Sequence, residues 1–258
     1  MPHRLAGLGL ALALAAGSVW AAPAWAAPGP PKTPRPQNPY AKAFAGTWDR
    51  QGSINFDPTI PFSEPDRPPL TDKAAAQFKA SLDSAAAGKP INDPHANCVP
   101  LGMPRMMNMP YLFEFLVSDD KLTLIAEEQS QVRRIWTDGR TFDADMWPTY
   151  VGTSIGHWEG KALVVETRGL RADLPINQKG LMHSPELTVS ERFWLEGKDT
   201  LKDQITLTDP ETFSKPWVVT KTYKRTKDPL NEYVCEENNR NPVREDGVTG
   251  VVLSSGAR

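Results

Sequence analysis

Positive charge is the first thing this sequence lacks. Its 29 Lys and Arg are outnumbered by 31 Asp and Glu in 258 residues, which gives a formal net charge of -2 and a pI near 6.1. Without a basic excess there is nothing to follow a phosphate backbone, so nucleic acid is excluded as an expected partner. Histidine is scarce, at four residues, and none stands in an H-x-x-x-H or H-x-H pair. Neither a metal site nor a cofactor is therefore expected. There is no G-x-S-x-G elbow, and Ser154 in "GTSIG" has no strand-to-helix turn, which removes serine-hydrolase chemistry. Beyond the N-terminus no stretch approaches the roughly 18 uninterrupted apolar residues of a transmembrane helix. The 25 Pro and 18 Gly stay below the share that marks low-complexity chains.

What is present begins with a leader. His3 and Arg4 precede an apolar stretch from Leu5 to Ala16, and Ala24-Trp25-Ala26 forms an A-x-A cleavage pattern. Residues 1–26 are expected to be a signal peptide, so the mature protein is expected to be soluble and periplasmic or secreted. In an oxidising compartment two cysteines allow a single intrachain pairing, and Cys98 is expected to bond Cys235. Closing so long a loop stabilises by about 5 kcal/mol in the chain-entropy account. A catalytic thiol is the rival, but Cys98 has no adjacent His or Arg to lower its pKa.

Residues 27–39 form a Pro-rich lead, and residues 40–258 are expected to make a single β-barrel domain. "FAGTWDR" (44–50) reads as a short strand, and Phe56 to Pro69 as an irregular, Pro-rich surface loop. "TDKAAAQFKASLDSAAAG" predicts a helix over about 71–87, capped by Thr71, stopped at Gly88 and facing the core with Ala75, Phe78 and Leu82. From Tyr111 the period changes to two, and strands are predicted at about 111–117, 121–128, 131–137, 152–158, 161–167, 187–195, 200–208 and 217–224. The connectors Ser118-Asp119-Asp120, Asp138-Gly139-Arg140, Glu159-Gly160 and Glu196 to Asp199 have hairpin chemistry, so neighbours should pair antiparallel. The fold class is mainly β: a meander of about eight strands closing into a lipocalin-like barrel, with one N-terminal helix and long Pro-rich loops. An open sandwich would use the same strands.

The stretches "CVPLGMPRMM", "RRIWTDGR", "GTSIGHWEGKALVVETRGL", "HSPELTVSERF" and "EYVCEEN" together resemble a family of secreted bacterial proteins with a C-P-G-x-P-R, IGHWEGDTLVV and EY-x-C-x-E series. The resemblance covers roughly residues 90–240 and implies export and a shared β fold; the family has no established activity, so it implies no reaction. One departure is Lys161-Ala162, where the family reads Asp-Thr. A second, weaker resemblance, carried by the meander and Gly46-Thr47-Trp48, is to lipocalins and other calycin-type barrels. It implies a small apolar molecule held inside.

Side chains alternate across a strand, so a lone charge flanked at i±2 by apolar residues points inward with them. Glu191 beside Val189, Phe193 and Leu195, Arg134 beside Val132 and Trp136, Glu127 beside Thr123 and Ile125, and His157 beside Ile155 all meet that test. A buried carboxylate must be protonated or matched, and Arg134 is the expected cation for Glu191. The alternatives are a structural ion pair, or strands whose opposite faces are the buried ones. Trp136, Trp147 and Tyr150, with Met106, Met107 and Met109, are candidates for a pocket mouth. His157, Glu191 and His183 are the candidate acid–base groups, with Asp145, Tyr150 and Glu159 near enough in sequence to orient His157.

The leading expectation is an exported barrel that binds a hydrophobic or aromatic small molecule, anchored by Arg134 and His157. An acid–base enzyme, an isomerase or lyase using the same cavity, is the alternative, and an envelope interaction protein working through its Pro-rich lead is the third. The oligomeric state is left open.

Overall fold

A computed structural model describes residues 38–91, 93–239 and 241. The expected signal peptide, and all but the last two residues of the Pro-rich lead, lie outside the described residues.

Nine strands close into a barrel in chain order. They are β1 (Gly46–Gln51), β2 (Phe113–Val117), β3 (Lys121–Ala126), β4 (Val132–Trp136), β5 (Thr153–Glu159), β6 (Ala162–Arg168), β7 (Thr188–Leu195), β8 (Thr200–Thr208) and β9 (Trp217–Thr226). The count of eight is thus corrected by one. The short 44–50 segment joins the wall as β1, pairing with β2 on one edge and β9 on the other, and this pairing removes both free edges. Its Gly-x-Trp places Trp48 fully inside, where the indole Nε1 donates to the Phe44 carbonyl at 3.0 Å.

Sequential strands pair antiparallel, as the turn chemistry implies, except at one seam. β4 and β5 run parallel and share only the pairs Ile135↔Ser154 and Trp136↔Ile155. Asp138-Gly139-Arg140 is therefore not a hairpin. Its Arg140 guanidinium clasps the Asp138 carboxylate at 2.8 Å and stacks 3.5 Å from the Trp136 ring centre, and the chain then crosses over to start β5 in the same direction.

The helix α1 spans Asp72–Ala86, with the Thr71 hydroxyl accepting from the Ala74 amide at 3.3 Å and Gly88 beyond its end at φ +69°. Phe78 and Leu82 face the core as expected, but Ala74 is buried and Ala75 exposed. The Pro-rich loop after β1 is irregular and largely at the surface, as expected, with Phe62 exposed, but it is anchored inward at two points. Phe56 is fully buried against Trp217 (ring centres 4.5 Å), and Asp66 accepts from the amides of Phe56 and Asp57 and from the Asn177 side chain. A buried carboxylate that satisfies its own loop's amides lets irregular backbone leave solvent. Cys98 and Cys235 form the expected disulfide, with their Cα atoms 5.6 Å apart.

Candidate functional site

The lumen is packed with side chains. Phe113 meets Phe115 and Tyr223 edge to face at 5.3 and 4.9 Å between ring centres, and Phe115 meets Phe193 at 5.8 Å. Among these rings lies a band of buried charge. The Arg133 guanidinium donates to the Ser154 hydroxyl at 3.0 Å, to Thr167 at 2.9 Å and to both Glu191 oxygens, with Nη1 to Oε1 at 2.9 Å. On the neighbouring strands Asp203 and Lys221 face each other in register, both fully buried. Neither Asp203 oxygen has a hydrogen-bond partner, and burial, followed by the nearby Glu191 charge, pushes its carboxyl well above the usual range. Lys221 donates to the Phe56 carbonyl at 2.5 Å, and burial, with Arg50 nearby, lowers its ammonium to about 7.

Glu191 faces inward as its strand pattern requires, but its cation is Arg133. Arg134 is exposed, as is Val132, because Arg133 and Ile135 take the inner face of β4. Glu127 errs in the same way: half-buried, it accepts from the Asn231 amide at 2.9 Å while Glu128 turns inside. A one-residue slip reverses a whole strand. With apolar residues on both faces of β3 (Leu124, Ile125) and of β4 (Val132, Ile135), the sequence leaves the parity open.

The other candidates do not assemble either. The His157 side chain is 66% exposed on the outer wall, its Nε2 3.2 Å from Glu159. His183 is buried in the loop before β7, bonded through Nδ1 to the Ser184 carbonyl at 2.8 Å, and burial pushes its pKa down. Among the described residues no hydrogen bond joins either histidine to the other or to Glu191. Trp136 is covered by Arg140, Trp147 is 88% exposed, and Tyr150 lies under Arg171 at 4.9 Å.

Chemistry converges instead at the barrel mouth, on residues the strand patterns could not reveal. Here a cavity of about 10 Å³, the room of one water, is lined by Met106, Met107, Met109, Tyr111, Glu128 and Gln131 among others. His95 Nε2 lies 2.9 Å from the Glu128 carboxylate and its Nδ1 3.2 Å from the Val99 carbonyl. Burial opposes a charged ring there, but the hydrogen bond and charge of Glu128 with the Val99 carbonyl outweigh it, and the pKa of His95 is raised. Tyr233 packs against Tyr111 with ring centres 5.3 Å apart, and its phenol is pushed up to about 12 by burial first and the Glu128 charge second. Behind them Asp93 holds Arg105 bidentately at 2.8 and 2.7 Å and caps the turn that carries His95. Gln131 accepts from the Gly102 amide at 3.0 Å, and its buried Nε2 has no partner.

The backbone around this cluster is unusual. The three non-glycine residues at positive φ among those described, Cys98 (57°), Gln129 (54°) and Ser130 (49°), all sit here, and Gln129 reaches across to the Cys98 carbonyl at 2.8 Å. Gly102, at φ +67°, cannot be replaced, since a Cβ there would stand 2.2 Å from the Tyr150 carbonyl oxygen. Backbone held in such conformations tends to gather at working sites. "CVPLGMPRMM" and "EYVCEEN", far apart in sequence, meet at this mouth through the disulfide; that convergence, with His95 three residues before Cys98, was the available signal.

No family model matches the chain, and no curated protein matches it. Among solved structures, wild-type fluorescent protein UnaG and two of its single-residue variants match at 14% identity, over 72% of this chain and 99% of theirs, with TM-scores of 0.33 to 0.34. So loose a superposition carries no argument about what either molecule holds, and the nine-strand closure rests on this chain's own strand pairing.

Proposed function

We propose that the protein is an exported barrel that binds a small hydrophobic or aromatic molecule at its mouth, between the methionines and the His95–Glu128 pair. The observation that supports this most is the unpartnered Gln131 amide, buried at the end of a methionine-lined cavity beside the Glu128 carboxylate. That combination offers one donor and one acceptor inside an apolar cup, which suits an aromatic ring bearing a hydroxyl. The cavity is smaller than such a ring, so a ligand enters by displacing Met106, Met107 and Met109, whose unbranched thioether chains re-pack readily. Titrating phenols and aromatic acids into protein labelled at the methionine methyls should shift those three resonances and spare the exposed Met182. A panel that moves none of them would sink this reading. Mass spectrometry of the exported protein should find an N-terminus at Ala27.

A second reading, acid–base catalysis, is favoured by one specific feature: both His95 nitrogens are engaged, Nε2 by the buried Glu128 carboxylate and Nδ1 by the Val99 carbonyl, so a proton has a path between carboxylate and imidazole. Replacing His95 by Gln would then abolish turnover of a bound ligand without weakening its binding.

A further inference from the structure

A larger recess lies on the outside of the wall. Between the Ala41–Phe44 turn and the outer ends of β5 to β8 runs an open cleft of about 800 Å³, within the range that holds a ligand of several rings. Besides the buried Phe44, two accessible aromatic residues line it: Tyr40, 43% exposed, and Trp194, half-buried. Strand pairing sets Arg192 and Gln204 side by side on the outer face, with Trp194 next along the strand on the same face. Glu159 accepts from Arg192 at 2.6 Å, and the Arg192 and His157 hydrogen bonds hold its carboxyl below the usual range. Lys161 stands 5.1 Å from the Tyr40 ring centre.

The chemistry of this lining excludes two common ligand classes. A phosphate dianion would meet the Glu159 carboxylate, which already neutralises the charge of the Arg192 guanidinium beside it. A purely apolar ligand would find little to cover, because Phe44 and Ala162 are 1% and 6% exposed and the charged Glu159, Lys161 and Arg192 share the lining. What is left is a pair of aromatic rings flanked by planar groups that take and give hydrogen bonds. A pyranose fits that arrangement: its C–H face lies on a ring, and its adjacent hydroxyls bridge a carboxylate, an amide or a guanidinium. We propose that this cleft is an oligosaccharide-binding site, with Trp194 and Tyr40 as stacking surfaces and Glu159, Arg192 and Gln204 as the hydroxyl partners.

The test is calorimetric titration of the mature protein with a neutral and an acidic tetrasaccharide, cellotetraose and tetragalacturonate, followed in parallel by tryptophan fluorescence. Binding of either, weakened about tenfold or more in Trp194→Ala and restored in Trp194→Phe, supports the site. Gln204→Ala, at an exposed position, should weaken it several-fold with Tm unchanged, which covers the case in which the tryptophan variant folds poorly. Tighter, salt-sensitive binding of the acidic sugar would add Lys161 to the contacts, and equal binding would leave recognition to the neutral groups; both support the proposal. No heat with either sugar up to about 5 mM, or binding indifferent to both substitutions, would overturn it. A phenol that shifts the mouth methionines should not compete with either sugar, so the two sites fail independently.

Discussion

Arg133 and Glu191, 58 residues apart in the chain, close a two-point ion pair inside the barrel, with Nη1 and Oε1 at 2.9 Å and both side chains at most 1% exposed. Ser154 and Thr167 take two further guanidinium donors, so all three nitrogens of the group are hydrogen-bonded and the network ties β4, β5, β6 and β7 together. Removing one member strands the other without water. Arg133→Met should cost about 3–5 kcal/mol, whereas Arg133→Met with Glu191→Leu should recover much of that loss. Urea unfolding of the two variants checks it; a single variant no worse than the double would mean that the pair does not act as a unit.

Lys221 makes stability depend on pH in an uncommon direction. Its ammonium titrates near 7 in the fold and near 10.5 in the unfolded chain, so between those values the unfolded state holds more protons. Stability therefore rises with pH across that window, by at most about 2–3 kcal/mol between pH 7 and 9. Asp203, pushed upward, acts oppositely: its folded form keeps a proton that the unfolded chain releases above about 4, so its contribution declines from there upward. Urea midpoints at pH 7 and 9 should rise in the parent, and the rise should vanish in Lys221→Met.

The wall was legible in the sequence because its signal is local. β8 (Thr200–Thr208) matches its predicted limits, and Glu191 is inside because Val189 and Phe193 flank it with polar neighbours between. Arg133 and Glu128 were missed where that contrast fails: Leu124 next to Ile125, or Ile135 next to Trp136, carries apolar character on both faces. Parity was then settled by the Glu128–Ser130 turn, which holds two residues at positive φ that no propensity foretells. The mouth was illegible for a different reason. His95, Tyr111, Glu128 and Tyr233 come from four separate segments, and only the disulfide and the closed sheet make them neighbours.

His95 and Glu128 yield a spectroscopic prediction. Burial alone lowers an imidazole pKa, and Glu128, by hydrogen bond and charge, is the larger of the two partners that raise it, ahead of the Val99 carbonyl. In Glu128→Gln the His95 ring should titrate below its ordinary value near 6.5, as read from its ring-proton shifts. The sign for stability follows: a raised folded pKa gives a contribution fully present below about 6.5 and lost as pH rises through the folded value. Parent and variant should thus differ most in acid and converge towards alkaline pH. A His95 titration unmoved by the substitution would break the proposed proton path.

The disulfide ties the strap that carries Tyr233 to the loop that carries His95, joining cysteines 137 positions apart. Replacing both by Ser removes that restraint from the unfolded chain and should cost about 2–5 kcal/mol. The barrel itself does not need the bridge, since β9 pairs with β1 before the strap begins at Lys227. Far-ultraviolet circular dichroism should therefore keep its β signature while the Met106, Met107 and Met109 methyl resonances broaden or shift, because the Tyr111–Tyr233 contact at 5.3 Å that closes over them has lost its anchor. Unchanged methionine resonances in the double-serine variant would mean that Tyr233 holds its place without the bridge.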